Sequence, residues 1–233
     1  LAVPPQTNEA FLREVDEELR RDELARLWKR WGRVLAAAIV IGLIAFAVFL
    51  WWRDYQAKQA GVEGQKLTAT IEQLSSGQTD KALPALKELA QSSREGYRAA
   101  AQLALGALAA ERGDAKDAIA KFAAVAKDER IGEPFRNLAL IRQTTMEFDS
   151  LPPDQVIARM RPLAQKGSPW FGSAGELVAV AQLKAGRPTD AGATFAALAA
   201  DPSVPASIRS RAAQMASVLG VDINPAALPS LSK

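Results

Sequence analysis

The chain contains no cysteine and no histidine. Thiolate and imidazole are therefore missing. With them go the Cys/His and Ser/His/Asp nucleophile arrangements and the common zinc sites, each of which needs one of those groups. No disulfide framework can form, but a large helical core needs none, so this absence leaves the compartment open. Tyrosine is nearly absent, at two residues, and β-branched residues are sparse outside one apolar run. Ala and Leu take their place, a mix that favours helix over strand. An excess of one charge is lacking too: 29 Lys and Arg stand against 26 Asp and Glu, a net +3 over 233 residues. After the apolar run the two signs interleave, so there is no nucleic-acid face. With 48% hydrophobic and 24% charged residues, the chain is not of disordered composition.

The long apolar run stands out against these absences. Val34 to Trp52 are 19 consecutive residues without a charge, and eleven of them are Leu, Ile, Val or Phe. As a helix they span roughly 28 Å, close to the hydrocarbon thickness of a bilayer. On an insertion scale those eleven alone favour the membrane by roughly 3 to 7 kcal/mol. A soluble core helix keeps a polar stripe, and this run has none. Trp28 and Trp31 flank one edge, Trp51 and Trp52 the other, where amphipathic rings settle at headgroup level. The run begins only after a leader rich in both charges (Glu9, Glu14, Asp16, Glu17, Glu18, Asp22 and Glu23 among the acids). A cleaved signal peptide has neither that leader nor that length, so an uncleaved anchor is expected.

Orientation follows from the flanking cations. Residues 14–33 carry Arg20, Arg21, Arg26, Lys29, Arg30 and Arg33; residues 53–72 carry only Arg53, Lys58 and Lys66. The positive-inside rule places the N-terminus in the cytoplasm and the larger part across the membrane, in the periplasm of a bacterium with two membranes. Within the span, Ala38 and Gly42 form a small-xxx-small pair that would let another helix approach, although such residues are common in spans.

Beyond the span four segments repeat: "ALPALKELA" (82–90), "AIAKFAAVA" (118–126), "VIARMRPLA" (156–164) and "AGATFAALA" (191–199). Their starts lie 36, 38 and 35 residues apart. Each places a small or branched residue first and a bulky one four later: Leu86, Phe122, Met160 and Phe195. Gly77, Gly113 and Gly186 precede three of them as helix terminators, and Pro152 and Pro153 break the chain before the other. A period near 34 with helix–turn–helix units is the tetratricopeptide pattern. Gly106 and Ala118 are small where paired helices would cross, and Phe122 fills the space between pairs; Thr70 and Ala179 stand where Gly106 stands.

The fold expected is all-α: a single transmembrane helix followed by a tetratricopeptide-like solenoid of helical hairpins. Its parts are a charged leader helix (1–33), the span (34–52), a repeat domain (53–220) and a flexible Pro-rich tail (221–233). The helix of the span should continue to about Ser75 and supply the first partner helix. "PASIRSRAAQMASVLG" (205–220) should close the last repeat.

No motif points to catalysis. "RGD" (112–114) falls at an inter-helix turn, where Gly113 ends one helix and Asp114 caps the next. "SLSK" (230–233) sits in the tail with no pocket around it, and "GVEGQKLT" (61–68) lacks the Gly-Lys-Ser/Thr ending of a phosphate loop. An envelope hydrolase would need two carboxylates converging in a cleft, and the acids here are scattered over repeat surfaces. The protein is expected not to be an enzyme, and no cofactor or metal is expected. What remains is recognition. In helix-pair repeats the first helix of each pair lines a binding surface, which nominates Leu103, Ala107 and Ala110, then Leu138 and Ile141, then Val180 and Leu183. The alternative is that these positions simply pack the solenoid.

The stretches "REVDEELRRDELARLWKRWG", "YRAAAQLALGALAAERGDAKDAIAKF" and "WFGSAGELVAVAQLKAGRPTDAGATFAALAADPSVPASIRSRAAQ" resemble the ancillary subunits of the SecYEG translocon, the YfgM-like tetratricopeptide family, over about residues 9–220. The resemblance implies a single-span inner-membrane protein whose repeat domain faces the periplasm. It further implies association with the SecYEG channel and with a membrane-anchored prolyl-isomerase-like chaperone. The apolar groove nominated above, beside such a channel, would suit transient capture of unfolded secretory chains or of a chaperone partner. It carries over no catalytic residue. A repeat domain facing the cytoplasm, or a general envelope-assembly adaptor, is the competing reading.

Overall fold

The computed structural model describes residues 7–221, with side chains from residue 29 onward. The side chains of the leader up to and including Trp28, and the tail beyond residue 221, lie outside what is described. Among the described residues all regular structure is helical: α1 (Thr7–Ser75), α2 (Thr79–Leu89), α3 (Glu95–Glu111), α4 (Ala115–Lys127), α5 (Glu133–Glu147), α6 (Pro153–Met160), α7 (Phe171–Lys184), α8 (Pro188–Ala200) and α9 (Ala206–Val218). The chain divides into two units, residues 1–62 and 63–233.

The first unit is the long helix α1 as far as Val62. Its most apolar 18-residue stretch has a mean hydropathy of 2.8, and none of it is buried. From Val34 to Trp52 even the most covered large apolar side chain, Leu50, is 38% exposed. Leaving eleven such side chains half in water forgoes on the order of 10 kcal/mol, as much as the entire stability of an ordinary domain. A soluble core helix is mostly buried, and this one is not. Helix α1 is long and apolar enough to cross a membrane. Ala38 and Gly42 lie on it in open surroundings, with nothing near the missing Cβ of Gly42. At the far end of the run Trp51 stacks on Tyr55, with ring centroids 5.9 Å apart.

The second unit is a stack of hairpins. The end of α1 pairs with α2 through Leu67 and Leu74 against Leu86 and Leu89; α3 pairs with α4, α5 with α6 and α7 with α8. The repeat register holds to the residue. Ala82, Ala118, Val156 and Ala191 are each at most 1% exposed, and the bulky residues four positions later, Leu86, Phe122, Met160 and Phe195, are at most 3% exposed. Facing them in the first helices are Thr70, Gly106, Thr144 and Ala179, all buried and spaced 36, 38 and 35 residues apart like the segments themselves. The position demands smallness. A Cβ on Gly106 would come 2.7 Å from the Phe122 ring. The two threonines turn their hydroxyls back on their own helix, Thr70 to the Lys66 carbonyl and Thr144 to that of Leu140, so neither hydroxyl is left stranded.

The turns are also repeated. Gly77, Gly113 and Gly186 adopt φ of +75°, +80° and +72°, the left-handed conformation that ends a helix and costs a Cβ-bearing residue about 1 kcal/mol or more. At the second of them, within the RGD sequence, the Asp114 carboxylate accepts from the Asp117 amide and caps α4.

The connections between hairpins share a device of their own. Arg98, Arg136 and Arg209 each stand four residues after the N-cap of a first helix or of α9. Each reaches back to loop carbonyls: Arg98 to Ser92, Arg136 to Glu129 and Ile131, Arg209 to Pro202 and Val204, at 2.8–3.1 Å. Ile131 and Val204 are thereby pinned, 1% and 2% exposed. The α6–α7 connection differs. Its equivalent residue is Ala174, fully buried, and the loop instead brings Trp170 to the surface of α7. The third repeat is also cut short: α6 ends at Met160, two residues before Pro162, which has no N–H to continue a helix. Leu163 and Ala164 still pack on the core from the following turns. Across this hairpin Glu147 of α5 is held by Arg159 of α6 and by Gln143.

Candidate protein-docking groove

First helices of successive hairpins touch one another, α3 with α5, α5 with α7, and α7 with the closing helix α9. Between the last three lies a groove of about 600 Å³, within the range of ligand-binding clefts. Helix α5 contributes Leu138, Ile141, Arg142 and Thr145, with Phe148 and Asp149 at its end. These recur at steps of three and four, one helical face. Helix α7 contributes Ser173, Glu176, Leu177 and Val180 at the same period, with Trp170 at its N-cap, and α9 adds Ile208 and Arg211. The floor is core. Ile141 is 6% exposed and belongs to the cluster that Phe148, Trp170 and Leu177 also contact. Val180 is 37% exposed on the opposite wall.

The charges around this floor are mostly neutralised in place. Arg211 of α9 grips Glu176 of α7 with two hydrogen bonds of 2.9 Å, a bidentate pair that ties the closing helix to the wall. Asp149 lies 3.6 Å from Lys184, whose ammonium also donates to the Phe148 and Asp149 carbonyls at 3.3 Å and sits 5.3 Å from the Phe148 ring centroid. Arg142 is different. It is exposed and makes no ion pair or hydrogen bond through its side chain among the described residues. Between α5 and α6, burial pushes the Glu147 carboxyl up, but hydrogen bonds from Arg159 and Gln143, with the nearby charges of Arg159 and Lys127, outweigh it and hold the carboxyl below its ordinary range.

Of the residues nominated from the sequence, the structure brings Leu138, Ile141 and Val180 together in this groove. Leu103 and Ala110 lie instead against the core formed with Ala109, Ala118 and Phe122, and Leu183 against that of the last hairpin. Ala107 is exposed on α3, outside the groove. The repeat register explains the pattern: Ala107, Thr145 and Val180 are equivalent positions, all exposed, but the methyl of Ala107 builds no wall. Sequence reasoning missed Arg142, Trp170 and the whole α9 wall. Extending the three-and-four spacing from Leu138 and Ile141 would have found Arg142, Thr145 and Phe148; nothing in the repeat pattern pointed to Ile208 or Arg211, which lie outside it.

A smaller cleft of about 290 Å³ lies among α2, α3 and α4, lined by Leu83, Leu105 and Leu108 and rimmed by charges of both signs, Lys87, Arg112 and Lys121 with Asp114 and Asp117. Among the described residues no three carboxylates gather as a metal site would need.

Residues 26–204 match the family model of the tetratricopeptide repeat-like domain. The match takes in the apolar part of α1 as well as the four hairpins and stops short of α9. No curated protein and no solved structure matches the chain.

Proposed function

The chain belongs to the tetratricopeptide repeat-like domain family, and from that premise we propose that it is a non-enzymatic, membrane-tethered interaction protein of the bacterial inner membrane. Residues 34–52 of α1 cross the bilayer, residues 1–33 stay in the cytoplasm, and the hairpins of residues 53–220 stand in the periplasm. There they dock on the SecYEG translocon and link it to a membrane-anchored prolyl-isomerase-like chaperone that receives newly translocated, unfolded chains. The family establishes protein–protein interaction as the general role. Support for the finer reading is the resemblance of leader, anchor and repeats to translocon-associated subunits, together with the six-to-three excess of Lys and Arg on the N-terminal side of the span.

The observation that carries the docking role is the groove floored by Leu138, Ile141 and Leu177 and walled by Val180 and Ile208, on a chain that also bears an apolar helical stretch none of which is buried. Tethering is part of the mechanism. Confinement to the membrane beside a channel raises effective concentration to about the millimolar range, so a groove of modest affinity is enough. The test is purification of the chain from detergent-solubilised membranes. Channel and chaperone subunits should accompany it, and recovery without either would refute the assignment. A reporter active only outside the cytoplasm, fused after Ser232, should be active; silence would favour a cytoplasmic adaptor.

A further inference from the structure

The groove between α5, α7 and α9 also constrains the form of its occupant. An extended peptide brings about one unpaired N–H and one C=O per residue, and each that is desolvated without a partner costs about 1–3 kcal/mol. Apart from the Ser173 hydroxyl, the Trp170 indole N–H and Arg142, the groove has little to offer them. Its walls are helices whose backbone groups are already bonded internally. The Thr145 hydroxyl is spent on the Ile141 carbonyl at 2.9 Å, and Glu176 and Arg211 are spent on each other. A partner whose backbone is satisfied within itself avoids that penalty and needs only apolar side chains to fill the floor. Helices meet this condition, presenting anchors at i, i+3 or i+4, and i+7.

Charge adds a second condition. Because the Glu176–Arg211 and Asp149–Lys184 pairs cancel, Arg142 is the groove's uncompensated charge among the described residues. It stands on α5 beside Ile141, at the edge of the apolar floor, where partial desolvation strengthens its pairing with an acid.

We propose that the groove accepts an amphipathic α-helix of a partner protein, its apolar face on Leu138, Leu177, Val180 and Ile208 and one carboxylate paired with Arg142. This rests on the groove being the docking site and specifies what docks.

The experiment displays two peptide libraries against the full-length chain in lipid nanodiscs: one helix-templated, one held extended by interspersed prolines. Both are counter-selected on Val180→Asp, a change at an exposed position that leaves the core intact. The helical library should enrich, with apolar residues at the stated spacing and an Asp or Glu at one fixed position. Arg142→Glu should then weaken the selected peptide about tenfold or more, and exchanging the peptide's acid for Lys should restore it. Enrichment of the extended library, enrichment without an acid, failure of the charge exchange, or no enrichment from either library overturns the proposal. Extended peptides that Val180→Asp abolishes would sink the helical occupant and leave the docking site standing. Undiminished capture of membrane partners by Val180→Asp would remove the docking site itself.

Discussion

Residues 34–52 and the hairpins of residues 63–221 are both helical and both rich in Ala and Leu, yet they treat their apolar side chains in opposite ways. In the first, Ile41, Leu43 and Phe49 are about three-fifths exposed; in the second, Leu86, Phe195 and Leu198 are at most 2% exposed. Composition does not separate them. Periodicity does. Each hairpin helix keeps a polar face, so its apolar stripe is satisfied by the helices packed against it, whereas the run in α1 is apolar all round and needs an apolar surrounding on every side. The same residues thus mean protein core in one region and, in the function proposed, lipid contact in the other.

That contrast can be broken by truncating one aromatic residue in each region. Phe122→Ala removes a ring that is 3% exposed and packed on Gly106, and should cost about 3–5 kcal/mol in denaturant unfolding of the repeat domain. Phe46→Ala, at a ring 58% exposed in the apolar run, should leave that transition unmoved. A comparable loss from Phe46→Ala would mean the run packs on protein. The converse experiment places a charge in each. Leu43→Arg should weaken membrane retention by about 2.5–3.5 kcal/mol, read as the fraction of chain surviving a carbonate wash. Ala120→Arg, on the exposed side of α4, should change neither retention nor folding.

Smaller effects sharpen the comparison within the repeats. Arg209→Met loses two hydrogen bonds to the Pro202 and Val204 carbonyls and should lower stability by about 1–3 kcal/mol, with α9 exchanging its amides first. Ala174, at the equivalent position before the groove, has no such bonds to lose, and Ala174→Arg should destabilise by overfilling a closed site. Acid provides the mildest probe. Glu147 is held below its ordinary range despite burial by Arg159 and Gln143, Asp128 by the hydrogen bonds it accepts from Arg130, and Asp201 by those from Ser203. A depressed carboxyl adds stability above its unfolded pKa and loses it as pH falls through the folded one. Repeat-domain stability should therefore be level near neutrality and decline below about pH 4, while retention by the charge-free run stays constant. Glu147→Gln should flatten part of that decline.

The sequence made the architecture readable because its signals were local. Nineteen uncharged residues mark a helix long and apolar enough to cross a membrane, and the glycines at 77, 113 and 186 mark turns by a conformation only glycine adopts readily. The register from Thr70 through Gly106 to Ala179 followed from spacing, and Thr144 completes it in the structure. The groove was legible only in part. Leu138, Ile141 and Val180 could be nominated because the first helices of the hairpins turn corresponding faces the same way. The third wall could not, since Ile208 and Arg211 belong to a helix outside the repeat period. Arginine 98, 136 and 209 were equally silent, because what they bond depends on the path of the preceding loop. Leu103, Ala110 and Leu183 share the expected face but lie beside core clusters, a distinction that depends on neighbouring side-chain volume rather than spacing.

The most direct measurement puts a photo-crosslinking residue at Val180 of the full-length chain in native membranes and, separately, at Ala120 on α4. A defined protein adduct from Val180, absent from Ala120 and persisting after the membranes are washed with salt, is the result expected of a tethered chain with a docking groove. Release of the chain by the wash, or the same adducts from both positions, would contradict it.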